Sequence, residues 1–255
     1  MIRLKTKEDI VTLREGGKRH AKILKELAKM VKPGLHVVEL DKKAVELIDE
    51  NGDIAAFLNY QPYGAKRVYP ASLCVSVNDE IVHGIPIEGD TVLKKGDIVS
   101  LDLGLMHKKL ITDAAITVPV GRISPELERL LQVTKEALMA GIKVAKAGNR
   151  VGDISNAIQK IGETNGYGIV EELAGHGVGY HVHEDPYVPN YGHPGRGEIL
   201  KPGMVIAIEP MFNLGTKKIK LDADGYTYRT VDGRPSAHFE HTIVITERGA
   251  EILTE

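Results

Sequence analysis

Four acidic residues occupy matching places in two similar stretches of the chain. Residues 93–103 read LKKGDIVSLDL and residues 200–210 read LKPGMVIAIEP, so an ungapped overlay places Asp102 on Glu209. A second overlay places Asp113, which opens DAAITV, on Glu240, which opens EHTIVI. Because side chains alternate along a strand, acids at such positions can point inward from both halves. Four carboxylates that face one another need a cation between them.

A histidine between two glycines is the fifth candidate ligand. His176 lies in the sequence AGHGVG, where the glycines allow backbone and ligand to approach closely. Four carboxylates and one imidazole form an oxygen-rich set that suits two divalent ions bridged by carboxylates. A pair of such ions can lower the pKa of a shared water and polarise a carbonyl group under attack. The residues therefore predict a hydrolytic metal centre.

Two other interpretations of the acids remain open. An isolated Asp or Glu is usually a solvated surface charge, and a structural ion-pair network can also hold several acids. Asp102 follows IVSL and Glu209 follows VIAI, so both are expected to be buried, where a carboxylate is costly unless paired or metal-bound. No lysine or arginine lies within three residues of any of the four acids, which favours metal binding over an ion-pair network.

Two further histidines are candidates for substrate binding or proton transfer beside the predicted metal centre. His83 lies in IVHGIP, and His183 follows His176 by seven residues. A lone histidine is by default an ordinary turn or rim residue. Placed beside the predicted cleft, either side chain could bind substrate or transfer a proton.

The elements that must position these residues are marked by local signals. Thr6 and Asp9 resemble a capping box and predict a helix that ends at residues 32–34. A second helix is predicted to end near residues 51–52, and Ser124-Pro125-Glu126 predicts the start of a third that ends near residues 147–148. Short apolar, β-branched segments predict strands at residues 72–77, 98–103 and 114–118. Asp102 and Asp113 then flank a turn around residues 107–109.

The same order of elements is repeated in the second half. Residues 32–48 overlay on residues 146–161, so each half reads helix, helix, then strands. This duplication predicts an α/β fold with pseudo-two-fold symmetry, the sheet inside and the helices outside. We expect one catalytic domain over residues 1–255, with halves of roughly 1–121 and 122–255. Residues 185–198, rich in proline and glycine, are predicted to be a loop at the rim of the cleft.

The composition excludes several classes of protein. The formal net charge of −2 gives no global field that would recruit nucleic acid, so no sequence-specific nucleic-acid partner is expected. A single cysteine, Cys74, excludes an intrachain disulfide and fits a reducing compartment. No apolar run approaches the roughly 20 residues that span a bilayer, and the charged start lacks a signal-peptide core, so a cytoplasmic protein is expected.

These motifs together resemble those of a known family. They are VHGIP (82–86), LDLG (101–104), TDAAIT (112–117), GHGVG (175–179), KPGMVIAIEP (201–210) and FEHTIVIT (239–246). They are similar to the motifs of the type I methionine aminopeptidases, and the opening segment TKEDIVTLREGGK is similar as well. The resemblance covers nearly the whole chain.

The resemblance implies a pita-bread fold with a central antiparallel-rich sheet, and it implies roles for the site residues. Asp102 would be a terminal ligand of one metal, His176 and Glu209 would bind the other, and Asp113 and Glu240 would bridge the two. Glu209 would also accept a proton, His183 would contact the carbonyl of the scissile peptide, and His83 its nitrogen. The metals would be two divalent ions (Co, Mn, Fe or Zn). The family removes the initiator methionine from nascent polypeptides when the second residue is small.

The resemblance is weaker in the pocket for the methionine side chain. Tyr60, Tyr69 and Cys74 match the family's pocket positions, and Tyr226 stands where a tryptophan is common in the family. Residues 61–68 (QPYGAKRV) are an insertion that is expected to change the shape of the pocket. Cys74 is expected to be a small buried apolar residue rather than a nucleophile, because no activating partner is apparent.

Further expectations concern ions, partners and alternative functions. The resemblance suggests a monovalent cation near Asn78 and Ser236, and a monomer. The basic run at residues 217–220 suggests a transient ribosome contact, although such runs are usually solvated surface. A proline-directed peptidase of the same clan is the main alternative function. A non-enzymatic binding protein on this scaffold is a weaker alternative, since all five ligands are present.

Overall fold

A computed structural model of the chain describes residues 2–255. Four α-helices occur in this range: α1 (Lys7–Met30), α2 (Val38–Glu50), α3 (Pro125–Val144) and α4 (Val151–Thr164). The strands are β1 (Ile54–Ala55), β2 (Leu73–Val77), β3 (Glu80–Val82), β4 (Ile98–His107), β5 (Leu110–Pro119), β6 (Gly168–Ile169), β7 (Ala174–Gly177), β8 (Glu184–Pro189), β9 (Val205–Ile208), β10 (Met211–Asn213), β11 (Ile219–Leu221), β12 (Tyr228–Thr230), β13 (Ser236–His238), β14 (His241–Thr246) and β15 (Gly249–Ile252). None of the helices in residues 2–255 combines the length and the apolar character needed to cross a membrane.

The helices begin where the sequence signals predicted. The N–H of Asp9 donates to Oγ1 of Thr6 at 3.1 Å, and the N–H of Thr6 donates to the Asp9 carboxylate at 2.9 Å, which completes the capping box of α1. In α3, the N–H of Leu127 donates to Oγ of Ser124 at 3.3 Å, and Pro125 occupies the first helical position. Both helices end a few residues before the predicted stops.

The turn between the first two acids is a tight hairpin. β4 and β5 pair antiparallel, and His107 lies opposite Leu110. Lys108 and Lys109 form the two-residue connection with φ angles of 46° and 72°. Positive φ at both central residues is what the commonest two-residue hairpin turn requires, because it matches the twist of the strands. The predicted turn at residues 107–109 is therefore confirmed.

The strands form four hydrogen-bonded sheets, and every pair of strands among residues 2–255 is antiparallel. The largest sheets have the order β15-β14-β9-β7-β8 and, in the first half, β1-β4-β2 with β5 on the other side of β4. The pair β4 and β5 in the first half corresponds to the pair β9 and β14 in the second, as the repeat predicts.

Helices cover each of these two sheets. Leu27 of α1 and Leu40 of α2 pack with Leu101 of β4 in one buried cluster. Ile154 of α4 packs with Ile206 of β9 in another. Each half thus buries the apolar face of its sheet under its own pair of helices, and the opposite faces are left to meet each other.

The prediction of a loop over residues 185–198 was wrong in its first part. Residues Glu184–Pro189 form β8, which pairs with β7, and Tyr187 lies opposite His176. Proline lacks the N–H that a central strand needs, but β8 is the edge strand of its sheet, where Pro186 and Pro189 are tolerated. Strand pairing therefore overrode the local proline and glycine signals.

Candidate metal centre

The five predicted ligands lie on five different strands or directly beside them. Asp102 is on β4, Asp113 on β5 and His176 on β7, whereas Glu209 follows β9 and Glu240 precedes β14. In the β4–β5 register, Asp102 lies opposite Ala115, two residues from Asp113. Residues two apart on one strand share a face, so the two aspartates point to the same side of the sheet.

The two halves join beside this face through β5 and the residues around Glu240. The N–H of Asp113 donates to Oγ1 of Thr242 at 2.8 Å, and the N–H of Glu240 donates to the carbonyl of Ala115 at 2.9 Å. Asp113 corresponds to Glu240 in the repeat, and Ala115 corresponds to Thr242, so these contacts are related by the pseudo-two-fold symmetry. The junction brings the acids of both halves into one cluster.

The ligand atoms of this cluster are within reach of common ions. Those of Asp113, His176 and Glu240 all lie within 4.8 Å of one another. Nε2 of His176 is 3.5 Å from Oε1 of Glu209 and 3.9 Å from Oδ2 of Asp113. Nδ1 of His176 lies 2.9 Å from the carbonyl oxygen of Gly177 and donates to it, which leaves the lone pair of Nε2 free to face the acids.

The acids fit a site for cations and do not form a structural ion-pair network. Asp102, Asp113 and Glu240 are buried, and the side chain of Glu209 is 12% exposed. One oxygen atom in each of Asp102, Asp113 and Glu240 is buried without a hydrogen-bond partner in residues 2–255. No lysine or arginine in that range forms an ion pair with any of the four carboxylates. Orphaned, buried, oxygen-rich groups are what hard or intermediate divalent ions satisfy.

Burial and mutual repulsion shift the pKa values of the acids upward. Burial raises the pKa of Asp102 to about 7. The pKa values of Asp113, Glu209 and Glu240 are raised well above their usual range, first by burial and then by neighbouring carboxylates. Burial lowers the pKa of His176 to about 3, so its imidazole is neutral and suited to metal binding. Such opposed shifts in one cleft are typical of a functional site.

All eleven predicted site residues line a single cavity of about 250 Å³. They are the five ligands together with His83, His183, Tyr60, Tyr69, Cys74 and Tyr226. A larger cavity of about 820 Å³ lies between the start of α4 and residues 191–198, and none of the ligands lines its described walls. The smaller cavity is therefore the candidate active site.

His183 lies beside the acids and is held by Tyr60. The ring centroids of His183 and His176 are 4.4 Å apart. The hydroxyl of Tyr60 lies 2.8 Å from Nδ1 of His183. Burial lowers the pKa of His183, so its ring is neutral near pH 7.

His83 enters the cavity with an unusual backbone conformation. Its φ angle is 60°, in the left-handed region that non-glycine residues seldom adopt. Burial, followed by the neighbouring His183, lowers the pKa of His83 to about 4. Backbone strain of this kind is concentrated at functional sites, where the surrounding structure enforces it.

The pocket residues form an apolar and aromatic wall. Tyr69, Cys74 and Tyr226 belong to one buried cluster, and the Tyr69 and Tyr226 rings meet edge to face with centroids 5.2 Å apart. Burial raises the pKa of the Cys74 thiol well above its usual range, which agrees with an apolar rather than a nucleophilic role.

The 61–68 insertion is anchored beside this wall. Nη1 of Arg67 lies 2.6 Å from Oε1 of Glu88, and its Nε donates to the carbonyl oxygen of Asp224 at 3.1 Å. The hydroxyl of Tyr226 donates to the carbonyl oxygen of Arg67 at 2.5 Å. The insertion thus fixes the orientation of a pocket tyrosine, whereas its Tyr63 is fully exposed and lies away from the pocket.

Sequence reasoning missed His238. This residue is buried, and its Nε2 lies 3.6 Å from Oε2 of Glu209 and 3.9 Å from Oε2 of Glu240. Neither of its ring nitrogens has a hydrogen-bond partner within residues 2–255. The available signal was its position two residues before Glu240, because strand alternation places such residues on one face.

Comparisons with known proteins show the family to which the chain belongs. Residues 12–247 match the model of metallopeptidase family M24. The chain is 48% identical to methionine aminopeptidase 1 of Bacillus subtilis and 43% identical to the methionine aminopeptidase of Aquifex aeolicus, with 100% of this chain and 99% of each relative covered. The crystal structure of the methionine aminopeptidase from Thermotoga maritima superposes with a TM-score of 0.95 at 43% identity, and each chain is covered completely. The prolidase from Pyrococcus furiosus has a TM-score of 0.77 at 25% identity, and 99% of this chain covers 65% of the prolidase.

The chain belongs to metallopeptidase family M24. Within that family it groups with the methionine aminopeptidases, which match it over their full length. The predicted pita-bread fold, the family and the class of enzyme, a metal-dependent aminopeptidase, are thereby confirmed.

Proposed function

We propose that this chain removes the N-terminal methionine from nascent polypeptides whose second residue is small. The single observation that carries the proposal is the convergence of four carboxylates and one imidazole in a cavity with an apolar wall. An aminopeptidase must select a free N-terminus, hold one side chain and cut one peptide bond. The cavity offers groups for each of these tasks over what we propose to be one catalytic domain.

The ligand set supports a site for two divalent ions. Asp102, Asp113, His176, Glu209 and Glu240 would hold them, because a single ion seldom needs four carboxylates. When bound, the ions would supply Lewis-acid activation of the carbonyl and a nucleophile at neutral pH. Cobalt, manganese, iron and zinc all tolerate this mixture of oxygen and nitrogen ligands, so availability selects among them.

Three side chains in the cavity would carry out the other steps of catalysis. Glu209 would accept the proton released when the nucleophile attacks, because its carboxylate lies in the cavity beside the other proposed ligands. His183 donates a hydrogen bond to the carbonyl oxygen as negative charge develops on it. His83, neutral and fixed at the cavity wall, contacts the peptide nitrogen.

The apolar wall suits a methionine side chain. Tyr69, Cys74 and Tyr226 surround the space beside the acids, and Tyr60 closes it near His183. Thioether groups pack favourably against aromatic rings, so this wall favours methionine over charged or β-branched N-terminal residues. The small volume of about 250 Å³ also favours a small second residue.

A comparison of peptides tests this function. We expect release of methionine from Met-Ala-Ser, much slower release from Met-Leu-Ser, and none from a peptide with proline in second place after a residue other than methionine. Dialysis against a chelator should abolish release, and a single divalent metal at defined concentration should restore it. Full activity after thorough chelation would contradict the metal mechanism, and preferential cleavage of X-Pro peptides would favour the prolidase-like alternative.

We also propose a monovalent-cation site, a transient ribosome contact, a cytoplasmic location and a monomeric state. The N–H of Ser236 donates to the carbonyl of Asn78 at 2.9 Å, which places the two residues of the suggested monovalent-cation site side by side. Lys217 forms an ion pair with Glu171 at 2.6 Å, which reduces the charge available for a ribosome contact. A cytoplasmic location and a monomeric state fit an enzyme that acts on newly made chains, and sedimentation with ribosomes at several salt concentrations would test the contact.

A further inference from the structure

A short connection joins two histidines of the proposed site. β7 carries His176 and ends at Gly177, and β8 begins at Glu184, directly after His183. Residues 178–183, which we call the histidine loop, therefore set the position of His183 relative to the acids. A loop that carries a catalytic side chain needs firm anchors, because loops are otherwise the more mobile parts of a fold.

Glu184 closes this loop on itself. Its Oε1 accepts the N–H of Tyr180 at 2.6 Å and the N–H of His181 at 2.9 Å. These bonds fold the middle of the loop back onto its end. A carboxylate that accepts backbone N–H groups in a buried place still needs a compensating positive charge.

Lys5 supplies that charge from the opposite end of the chain. Its Nζ lies 2.6 Å from Oε2 of Glu184, and the two side chains are only 1% and 7% exposed. The backbone of Lys5 is fixed in turn, because its N–H donates to the carbonyl of Gly203 at 2.8 Å. The lysine stem also packs against Gly179, where a Cβ atom would lie 2.4 Å from Cε of Lys5.

A second group of contacts holds the histidine loop in place at Tyr180. The hydroxyl of Tyr180 donates to Oδ2 of Asp9 at 2.5 Å, and the guanidinium of Arg3 stacks 4.2 Å from the centre of its ring. Nζ of Lys5 lies 4.8 Å from the same ring centre. The segment from Arg3 to Asp9 thus touches the histidine loop through both its charge and its aromatic ring.

We propose that Lys5 is a positioning residue for His183, acting through Glu184 and the histidine loop. The inference rests on the proposed contact between His183 and the scissile carbonyl. Loss of the Lys5 charge leaves a buried, unpaired carboxylate, and the loop relieves it by opening toward water. His183 then leaves its place beside Tyr60 and His176. The expected cost falls on kcat rather than KM, since the histidine stabilises charge that develops during the reaction.

The test combines kinetics with a double-mutant cycle. Lys5→Met should lower kcat for Met-Ala-Ser by about tenfold to a hundredfold, the range expected for a displacement on the order of 1 Å, with KM and bound metal little changed. His183→Ala should also lower kcat. The combined variant should be no slower than His183→Ala alone, because Lys5 acts only through that ring. Losses that multiply in the combined variant, or a normal kcat in Lys5→Met, would overturn the proposal.

Two further variants separate positioning from general damage. The double variant Lys5→Met with Glu184→Gln removes both charges but keeps an amide oxygen that accepts from the two N–H groups. Compared with Lys5→Met alone, it should therefore have a higher kcat and a higher melting temperature. Lys43→Met is the matched control: Lys43 forms an exposed ion pair with Glu46 at the same 2.6 Å, and its loss should change neither quantity.

A spectroscopic measurement keeps the proposal distinct from the proposed function. The side-chain NMR signals of His183 should shift in Lys5→Met and stay unchanged in Lys43→Met, whatever the substrate. If the wild-type chain released no methionine, the proposed function would be wrong. The NMR measurement would still test whether Lys5 positions His183. Unchanged His183 signals in Lys5→Met would show that Lys5 does not position His183.

Discussion

The hydroxyl group of Tyr60 lies 2.8 Å from Nδ1 of His183, across 123 residues of sequence. Burial raises the pKa of the tyrosine and lowers that of the histidine, so the two groups meet as a neutral phenol and a neutral imidazole. When the phenol donates to Nδ1, the ring hydrogen lies on Nε2. That tautomer can donate a hydrogen bond into the cavity, as a group that stabilises a developing oxyanion must.

Replacement of Tyr60 should therefore weaken catalysis without abolishing it. Tyr60→Phe removes one hydrogen bond, worth about 1 kcal/mol, so kcat should fall by roughly fivefold with bound metal unchanged. Steady-state kinetics on Met-Ala-Ser measure this, and Tyr63→Phe, at a fully exposed ring, is the matched control. An unchanged kcat in Tyr60→Phe would show that the tautomer of His183 is set by another group.

Loss of the basic oxygen of Glu209 should have a far larger effect. Glu209→Gln keeps the size of the side chain but cannot accept a proton, and general-base catalysis is typically worth about 10²–10⁴-fold in rate. We expect kcat to fall within that range, and metal content measured in the same sample separates proton transfer from lost coordination. Turnover within a factor of three of the wild type would exclude Glu209 as the base.

The metal-free protein should lose stability as the pH rises toward neutrality. Asp102 has a folded pKa of about 7, above that of the unfolded chain, and burial raises the pKa values of the other three carboxylates as well. A group with a raised folded pKa contributes stability that is complete below its unfolded pKa and is lost as the pH rises through the folded pKa.

Buried histidines act in the opposite direction over a lower range of pH. The pKa of His176 is lowered by burial to about 3 and that of His83 to about 4, so their stabilising contribution is lost as the pH falls below about 6.5, where the unfolded imidazoles gain protons. From about pH 6.5 up to the folded pKa of Asp102, about 7, the carboxylates therefore dominate. The melting temperature of the chelated protein should fall across this window, and saturating divalent metal should flatten the decline. A chelated protein that gained stability over the same window would contradict the shifts.

The close approach of β7 to its neighbour predicts sensitivity at Gly175. A Cβ atom there would lie 2.3 Å from the carbonyl oxygen of Ala207, which belongs to the backbone of β9 and cannot move away cheaply. Gly175→Ala should therefore displace His176, weaken metal binding and destabilise the fold by about 1–3 kcal/mol, as overpacking typically does. Calorimetric metal titration and denaturant unfolding measure the two effects. Gly192→Ala, whose Cβ would have Cβ of Ser155 as its nearest neighbour at 3.1 Å, is the milder control.

The sequence predicts the proposed metal ligands for a specific physical reason. Asp102 and Glu209 end matching apolar runs, and strand alternation converts that local pattern into a direction in space. The capping box of α1, the helix start at Ser124 and the hairpin at residues 107–109 were also local signals. Each signal depends on residues within a few positions of one another, so it does not require contacts with distant parts of the chain.

Other features of the site depend on contacts between distant parts of the chain. Lys5 meets Glu184 across 179 residues, and β8 forms in a stretch rich in proline because β7 offers it an edge. His238 gains its place near Glu209 only when β13 comes beside the acids. No short-range pattern predicts these contacts, because they depend on how distant segments of the chain pack together.

The amino-acid sequence alone thus determined which side chains could hold metal ions and which elements carry them, because repetition and strand period are properties of the chain itself. Only the tertiary structure decided how those side chains are held. The partner of His183, the charge that compensates Glu184 and the wall around Cys74 all arise from packing between segments far apart in sequence, where burial and complementary charge select the neighbours.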